Sequence, residues 1–205
     1  MTLPTTPLSE SLMESPQAGA VQLHATADAL EAALDEILDA PRETGTVEMV
    51  VRRPAVDQRE VLDEGHLDVV EGLVGDNWRT RGSSKTADGA AHPEMQINIM
   101  SARVIAAVAG DRSRWPLAGD QLFVDLDLRP ENLPTGTRLA VGTATLEVTA
   151  IPHLGCKKFV TRFGLESMKF INSGRGKRLR LRGLNARVVV PGIVRPGDRI
   201  RKLAP

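Results

Sequence analysis

Apolar residues recur along the chain at two periods. Between residues 25 and 41 the period is helical: Leu30, Leu34 and Leu38 fall four apart in a segment rich in Ala, Glu and Asp, and Pro41 closes it. An acidic amphipathic helix docked by one apolar stripe is predicted there. Beyond Gly45 the period drops to two. Val47, Met49 and Val51 alternate with Glu48 and Arg52, and Leu122, Val124 and Leu126 alternate with Phe123, Asp125 and Asp127. Ala144, Leu146, Val148 and Ala150 alternate with Thr145, Glu147 and Thr149. Each run predicts a strand with one buried face. Ala186, Val188 and Val190 predict another, closed by Pro191-Gly192, and Pro196-Gly197-Asp198 turns the chain into a last strand over Arg199 to Leu203.

Helices interrupt this pattern in few places. Ser101 is a good N-cap, Val104, Ile105 and Val108 make an apolar face, and Gly110 supplies the C-cap. A second helix is predicted around Leu62 to Val74 and a short one from Leu165 to Phe170. Many short strands with few helices favour a mainly β protein, a closed β-barrel with peripheral helices, because closure removes the edges that such strands leave open. The expected organisation is a disordered arm over 1–20, rich in Pro, Ser and Thr, then the acidic helix and linker over 21–44, then the barrel over 45–205.

Composition narrows the class. The 205 residues are 41% apolar and 25% charged, a globular composition with enough chain for a sizeable core. The longest apolar run, near Val104 to Ala109, falls short of the roughly 20 residues that a membrane-spanning helix needs, so no membrane association is expected. Met1 to Ala20 holds no Lys or Arg and no continuous apolar stretch, unlike a secretory signal, which leads to a cytoplasmic reading. Charge cancels, 26 Lys+Arg against 26 Asp+Glu, but unevenly: residues 1–80 hold 5 basic and 16 acidic side chains, residues 155–205 hold 14 basic and 2 acidic.

The basic third begins at the single cysteine. Cys156 lies in Ile151-Pro152-His153-Leu154-Gly155-Cys156-Lys157-Lys158-Phe159, directly after the strand that ends at Ala150. Pro152 stops that strand and Gly155 turns the chain, which places the thiol on a loop at a strand end, where sites are displayed. One cysteine can form neither an intramolecular disulfide nor a Cys-rich zinc site. Positive neighbours make a sulfur a better nucleophile and a better soft-metal ligand; the plain alternative is an inert, buried thiol.

A second loop, Asp125 to Pro134, gathers Asp127, Arg129, Glu131 and Asn132. Arg129 offers a planar fork suited to phosphate or carboxylate, and Asn132 offers donor and acceptor to a heteroaromatic ring edge. The alternative here is a solvated turn with preset proline backbone. Gly72-Leu73-Val74-Gly75-Asp76 and Gly119-Asp120 lack Walker spacing, and His24, His66, His92 and His153 lack metal-ligand spacing, which sets nucleotide binding and structural zinc aside. Arg178, Arg180 and Arg182, read as strand alternation, make a basic stripe able to hold phosphates. Aromatics are only 3% with no Tyr and no nucleic-acid motif appears, which counts against nucleic acid as the partner of that stripe; a solvated strand face and a cuff of charge around an anionic cofactor are the competing readings.

Taken in order, these pieces resemble the MOSC domain, named for the C-terminal region of molybdenum cofactor sulfurases. The matching elements are Gly72-Leu73-x-Gly75-Asp76, Gly119-Asp120, Leu128-Arg129-Pro130-Glu131-Asn132-Leu133 and Gly142 with its strand. The Cys156 loop, Arg182-Gly183-x-x-Ala186-Arg187-Val188 and Gly192-x-Val194-x-x-Gly197-Asp198 complete the series over residues 45–203, with Pro130 departing from the common Gly-Glu-Asn-Leu form.

The resemblance implies a β-barrel whose cysteine binds molybdenum, or carries sulfur, beside a pyranopterin. Carried over, Cys156 is the catalytic residue and metal or persulfide ligand, and Glu131 and Asn132 match the Glu-Asn-Leu motif that Arg129 precedes. Arg129 and the stripe that includes Arg182 meet the cofactor's anionic tail, and the helix N-terminus at Ser101 is a further phosphate candidate. His153 and Lys158 are added as supporting residues from their nearness to Cys156 in sequence. Three functions stay open. The first is a molybdenum-cofactor oxidoreductase that reduces N-hydroxylated small molecules with electrons from a separate redox protein. The second is a sulfur carrier loaded by a cysteine desulfurase, with any pyridoxal phosphate resident in that partner. The third is a non-catalytic module that binds anions or nucleic acid.

Overall fold

In the computed structural model, which describes residues 24–204, short strands hydrogen-bond into a ring that closes on itself. The chain opens with helices α1 (Ala27–Ala32) and α2 (Leu34–Leu38), then strands β1 (Thr44–Arg52), β2 (Glu60–Leu62), β3 (Gly65–Asp68) and β4 (Gly72–Leu73). Helix α3 (Trp78–Arg81), strand β5 (Ile97–Ser101), helix α4 (Ala102–Ala109) and strands β6 (Leu122–Asp125), β7 (Arg138–Val141) and β8 (Ala144–Val148) follow. The last elements are helices α5 (Lys157–Asn172) and α6 (Gly174–Arg178) and strands β9 (Leu184–Val190), β10 (Gly192–Val194) and β11 (Arg199–Lys202). The arm expected over 1–20 lies outside the described residues.

The ring runs β11-β7-β8-β9-β5-β6-β1, and β1 returns to β11 through Thr44↔Arg201 and Thr46↔Arg199. Every neighbouring pair in the ring is antiparallel except β5 and β6. The closed barrel expected from the sequence is therefore the observed architecture. Its interior is filled by alternate residues of each strand, among them Val47, Ile99, Leu122, Val124, Leu139, Leu146, Ala186 and Ile200, all buried. A second core lies outside the ring, under the helices, where Leu30, Leu34 and Ile37 of α1 and α2 pack with Val104, Ile105, Phe123 and Phe163. The N-terminal helix thus docks by its apolar stripe, as its periodicity predicts, with a break at Ala33.

Three expectations need correction. Val47, Met49 and Val51 do not share one face: a register shift between Val47 and Met49 sends Val47 and Val50 into the barrel and Met49 and Val51 into the outer core. The helix expected over Leu62 to Val74 is instead β3 and β4 with the end of β2, because Gly72 turns at φ 74° and β3 pairs with β10. Its spaced apolar residues are a strand pattern, and Val69 and Val70 are left exposed at the tip. The helix expected at Leu165 to Phe170 extends over Lys157–Asn172, and Gly164 at φ 83° breaks it into two halves. A straight helix would hold Gly155 and Asn172 roughly 25 Å apart. With the break, the second half folds back so that Asn172 Oδ1 accepts from Gly155 N at 3.0 Å and Asn172 Nδ2 donates to Gly155 O at 3.2 Å. The loop before Cys156 is clamped by the far end of its own helix.

Candidate active-site cleft

Cys156 occupies the N-cap of α5, and its thiol is free and exposed. Its carbonyl accepts the first helical hydrogen bond from Phe159 N at 2.9 Å. The thiol borders a cleft of about 520 Å³ lined by the segment after β1, by α3, by Gly119, by Pro152 to Leu154 and by the first half of α5. Of the sequence-predicted site residues, Cys156, His153, Lys158 and Arg182 share this cleft.

Two buried ion pairs form its base. Arg53, 3% exposed, clasps Asp76 through Nε and a terminal nitrogen at 2.8 Å each and donates its other nitrogen to Asn98 Oδ1 at 2.9 Å and Gly119 O at 2.8 Å. Arg182 donates to both oxygens of Asp120 at 2.8 Å and to Ala118 O at 3.0 Å, while its Nε is buried without a partner. His153 Nε2 also meets Asp120 Oδ1 at 2.8 Å. Burial opposes ionisation of Asp120, but Arg182 and His153 outweigh it and hold the carboxyl well below the usual carboxylate range. Burial and the Arg182 charge push His153 below its ordinary value, against the pull of Asp120. The ring is therefore neutral at pH 7. An ionised Asp120 can only accept, so Nε2 carries the hydrogen and Nδ1 is left as an acceptor.

Above this floor the lining is cationic. Arg59, Arg81, Lys85, Lys158 and Arg162 line the cleft, and Asp57 is the one acid among the lining residues. Asp57 accepts from Lys158 Nζ at 2.9 and 3.0 Å and from Arg162 at 2.6 Å, tying the segment after β1 to α5. Arg59 and Arg81 form no ion pair among the described residues. Burial lowers the pKa of each, and repulsion adds to it, from Arg162 and Arg53 on Arg59 and from Arg53 on Arg81. Cations that repel one another inside a shared concavity favour the entry of an anion. Exposed Val56 and Leu154 add apolar surface to the same lining.

The other predicted residues are held elsewhere. Arg129 binds Asp127 through Nε and a terminal nitrogen at 2.8 Å each, and Asp127 raises its pKa. Asn132, 2% exposed, donates to Arg42 O at 2.9 Å and Asp127 O at 2.8 Å, while Glu131 is exposed at the turn. Ser101 caps its own helix, its oxygen accepting from Val104 N at 3.5 Å, and with Arg129 it borders a cavity of only about 20 Å³. None of these four lines the Cys156 cleft. The basic stripe is also corrected: Arg178 ends α6, Arg180 lies in a turn and Arg182 is buried on Asp120, so the three share no strand face. Gly183 follows at φ 96°, and a Cβ there would stand 2.1 Å from Ile99 O, so only glycine lets the chain enter β9.

Sequence reasoning passed over Arg53, Asp76, Asn98 and Asp120. Asp76 and Asp120 each directly follow a glycine, in Gly72-Leu73-Val74-Gly75-Asp76 and Gly119-Asp120, which is the one signal the sequence carries for them. Arg53 and Asn98 carry none, since they stand on or just past strands where a charged or amide residue reads as solvated.

Among the described residues no three His, Cys, Asp or Glu side chains stand where they could hold a metal ion, and no helix is long and apolar enough to cross a membrane. No protein-family model and no curated protein matches the chain. Solved structures do share its fold. The YuaD protein of Bacillus subtilis matches with a TM-score of 0.53 at 19% identity, over 77% of this chain and 94% of its own. YiiM of Escherichia coli matches with a TM-score of 0.50 at 18% identity, over 78% of this chain and 70% of its own.

Proposed function

We propose that the protein is a MOSC-type molybdenum-cofactor oxidoreductase that reduces N-hydroxylated compounds, with Cys156 as the chain's ligand to the metal. The observation that carries this reading is the exposed Cys156 thiol bordering a cleft whose lining charges are cationic but for Asp57. The likeness to YuaD and YiiM is consistent with the MOSC resemblance of the sequence. The residues fit such a group in three respects. The volume, about 520 Å³, lies in the range of organic-ligand sites. The crowded cations suit a phosphate-bearing anion. A single soft donor, without a three-residue cluster around it, suits a metal that arrives already held by its own organic ligand.

When bound, the cofactor supplies two-electron redox chemistry with oxygen-atom transfer. Overall, the N–O bond of the substrate breaks, two electrons from a separate redox protein and two protons are taken up, and water leaves. Cys156 would hold the metal and Arg59, Arg81 and Lys85 would attract the anionic tail, while His153, oriented by Asp120, presents Nδ1 to take up or pass on a proton. Molybdenum and pterin analysis of protein made in molybdate-replete cells tests the reading. Near one metal per chain, lost in Cys156→Ala, is the expected result, and a metal-free wild-type protein overturns it.

A second reading is favoured by the access that the thiol enjoys at the head of α5. A persulfide carrier needs that access and no resident metal. In this case the Cys156 thiolate attacks the terminal sulfur of a desulfurase persulfide, forming Cys156–S–S⁻ and releasing the desulfurase thiolate. Intact-mass measurement after incubation with a desulfurase and cysteine then shows one added sulfur, located on Cys156; an unlabelled Cys156 rejects the carrier role.

A further inference from the structure

A second cavity, of about 320 Å³, shares a wall with the Cys156 cleft, since Pro152, His153, Leu154 and Arg182 line both. Elsewhere it is faced by Ile151, Ile171 and Leu184, and its lining includes no acid. Three cations stand in it. Arg182 is 6% exposed, and its Nε is buried without a hydrogen-bond partner. Arg180 donates to the carbonyl of Leu133 and forms no ion pair with a carboxylate among the described residues. It holds φ 50°, a left-handed conformation that a non-glycine residue adopts at a cost and that concentrates at functional positions. Burial lowers its pKa, with only the field of Glu131 opposing. Lys177 is exposed and forms no ion pair among the described residues.

An apolar chamber that holds cations and no acid matches a ligand with an apolar body and a negative head, because each part meets a surface that water serves less well. We propose that this cavity binds a small organic anion, an apolar body bearing one carboxylate or phosphate, with Arg180, Lys177 and Arg182 Nε as its anion contacts. The site is separate from the thiol, so the proposal stands whether or not Cys156 binds molybdenum.

Calorimetric titration of the full chain with phenyl phosphate, benzoate and inorganic phosphate tests it. Saturable binding of an aromatic anion at one per chain is expected, about tenfold or more tighter than inorganic phosphate because the ring leaves water. The tighter of phenyl phosphate and benzoate identifies the head group. Arg180→Gln and Lys177→Gln each weaken binding about tenfold, the loss of one charge-assisted contact, and Cys156→Ser leaves it unchanged. Lys177 is exposed and forms no ion pair among the described residues, so its variant tests the site even where Arg180→Gln disturbs the turn. Absence of saturable binding, equal affinity for inorganic phosphate, indifference to both substitutions, or loss of binding in Cys156→Ser overturns the proposal.

Discussion

In the loop from Asp127 to Leu133 the polar side chains, exposed Glu131 apart, are used up by their neighbours. Arg129 is spent on Asp127, Asp127 also accepts from the Arg129 backbone at 3.0 Å, and Asn132 ties the turn to Arg42. Around Cys156 the reverse holds. Asp120 and Asp76 neutralise only Arg182 and Arg53, and the cations above them share a single exposed acid. Both loops leave barrel strands, and both look like candidate halves of one site when read as residue types. What separates them is the balance of charge in three dimensions: a closed network lends stability, whereas an unbalanced one creates a demand for a ligand.

The contrast can be broken at either end. Cys156→Ala has the largest expected functional effect, taking bound molybdenum from near one per chain to background, while the melting temperature stays put because the thiol is exposed and caps nothing with its side chain. Asp120→Ala is expected to be the most destabilising change, about 3–5 kcal/mol by denaturant titration, since it leaves the buried Arg182 unpaired. A loss near zero would mean that Arg182 finds another partner. In the closed loop, Asn132→Ala should cost about 1–3 kcal/mol by stranding the buried Asp127 carbonyl and releasing the turn from Arg42, and the folded fraction should keep its metal content. Loss of metal in that variant would return the loop to the site.

The smallest effect is a pH dependence. His153 is held below its ordinary 6.5 in the folded chain, so on acidification the unfolded chain takes up a proton there first. Its contribution is complete above about 6.5 and is lost as pH falls below, at no more than about 1.4 kcal/mol per pH unit. Thermal unfolding scanned from pH 8 to 5 should therefore show a decline that His153→Gln flattens; an unchanged slope would place the titration elsewhere.

The barrel was legible because alternation is a local property. Leu122, Val124, Ala144, Leu146 and Ala186 declare their strands within a few residues, and the cap residues Ser101 and Gly110 declare α4. The bulge in β1 was hidden, since Met49 and Val51 are apolar on either face once a second core covers the ring. The helix expected near Leu62 failed because β3 is held by β10, more than a hundred residues further on, which no local window contains.

The site was half legible for the same reason. Proline, glycine and lysine around Cys156 announced an exposed loop, and the order of motifs pointed to one fold family. By itself the sequence determined a closed β-barrel carrying an accessible thiol at the start of its basic third. Tertiary structure alone decided which charges stay unpaired. It buried Arg182 and Arg53 on Asp120 and Asp76, folded α5 back at Gly164, and closed the Asn132 turn on itself. Pairing depends on distances between residues far apart in the chain, and residue spacing carries no record of those distances.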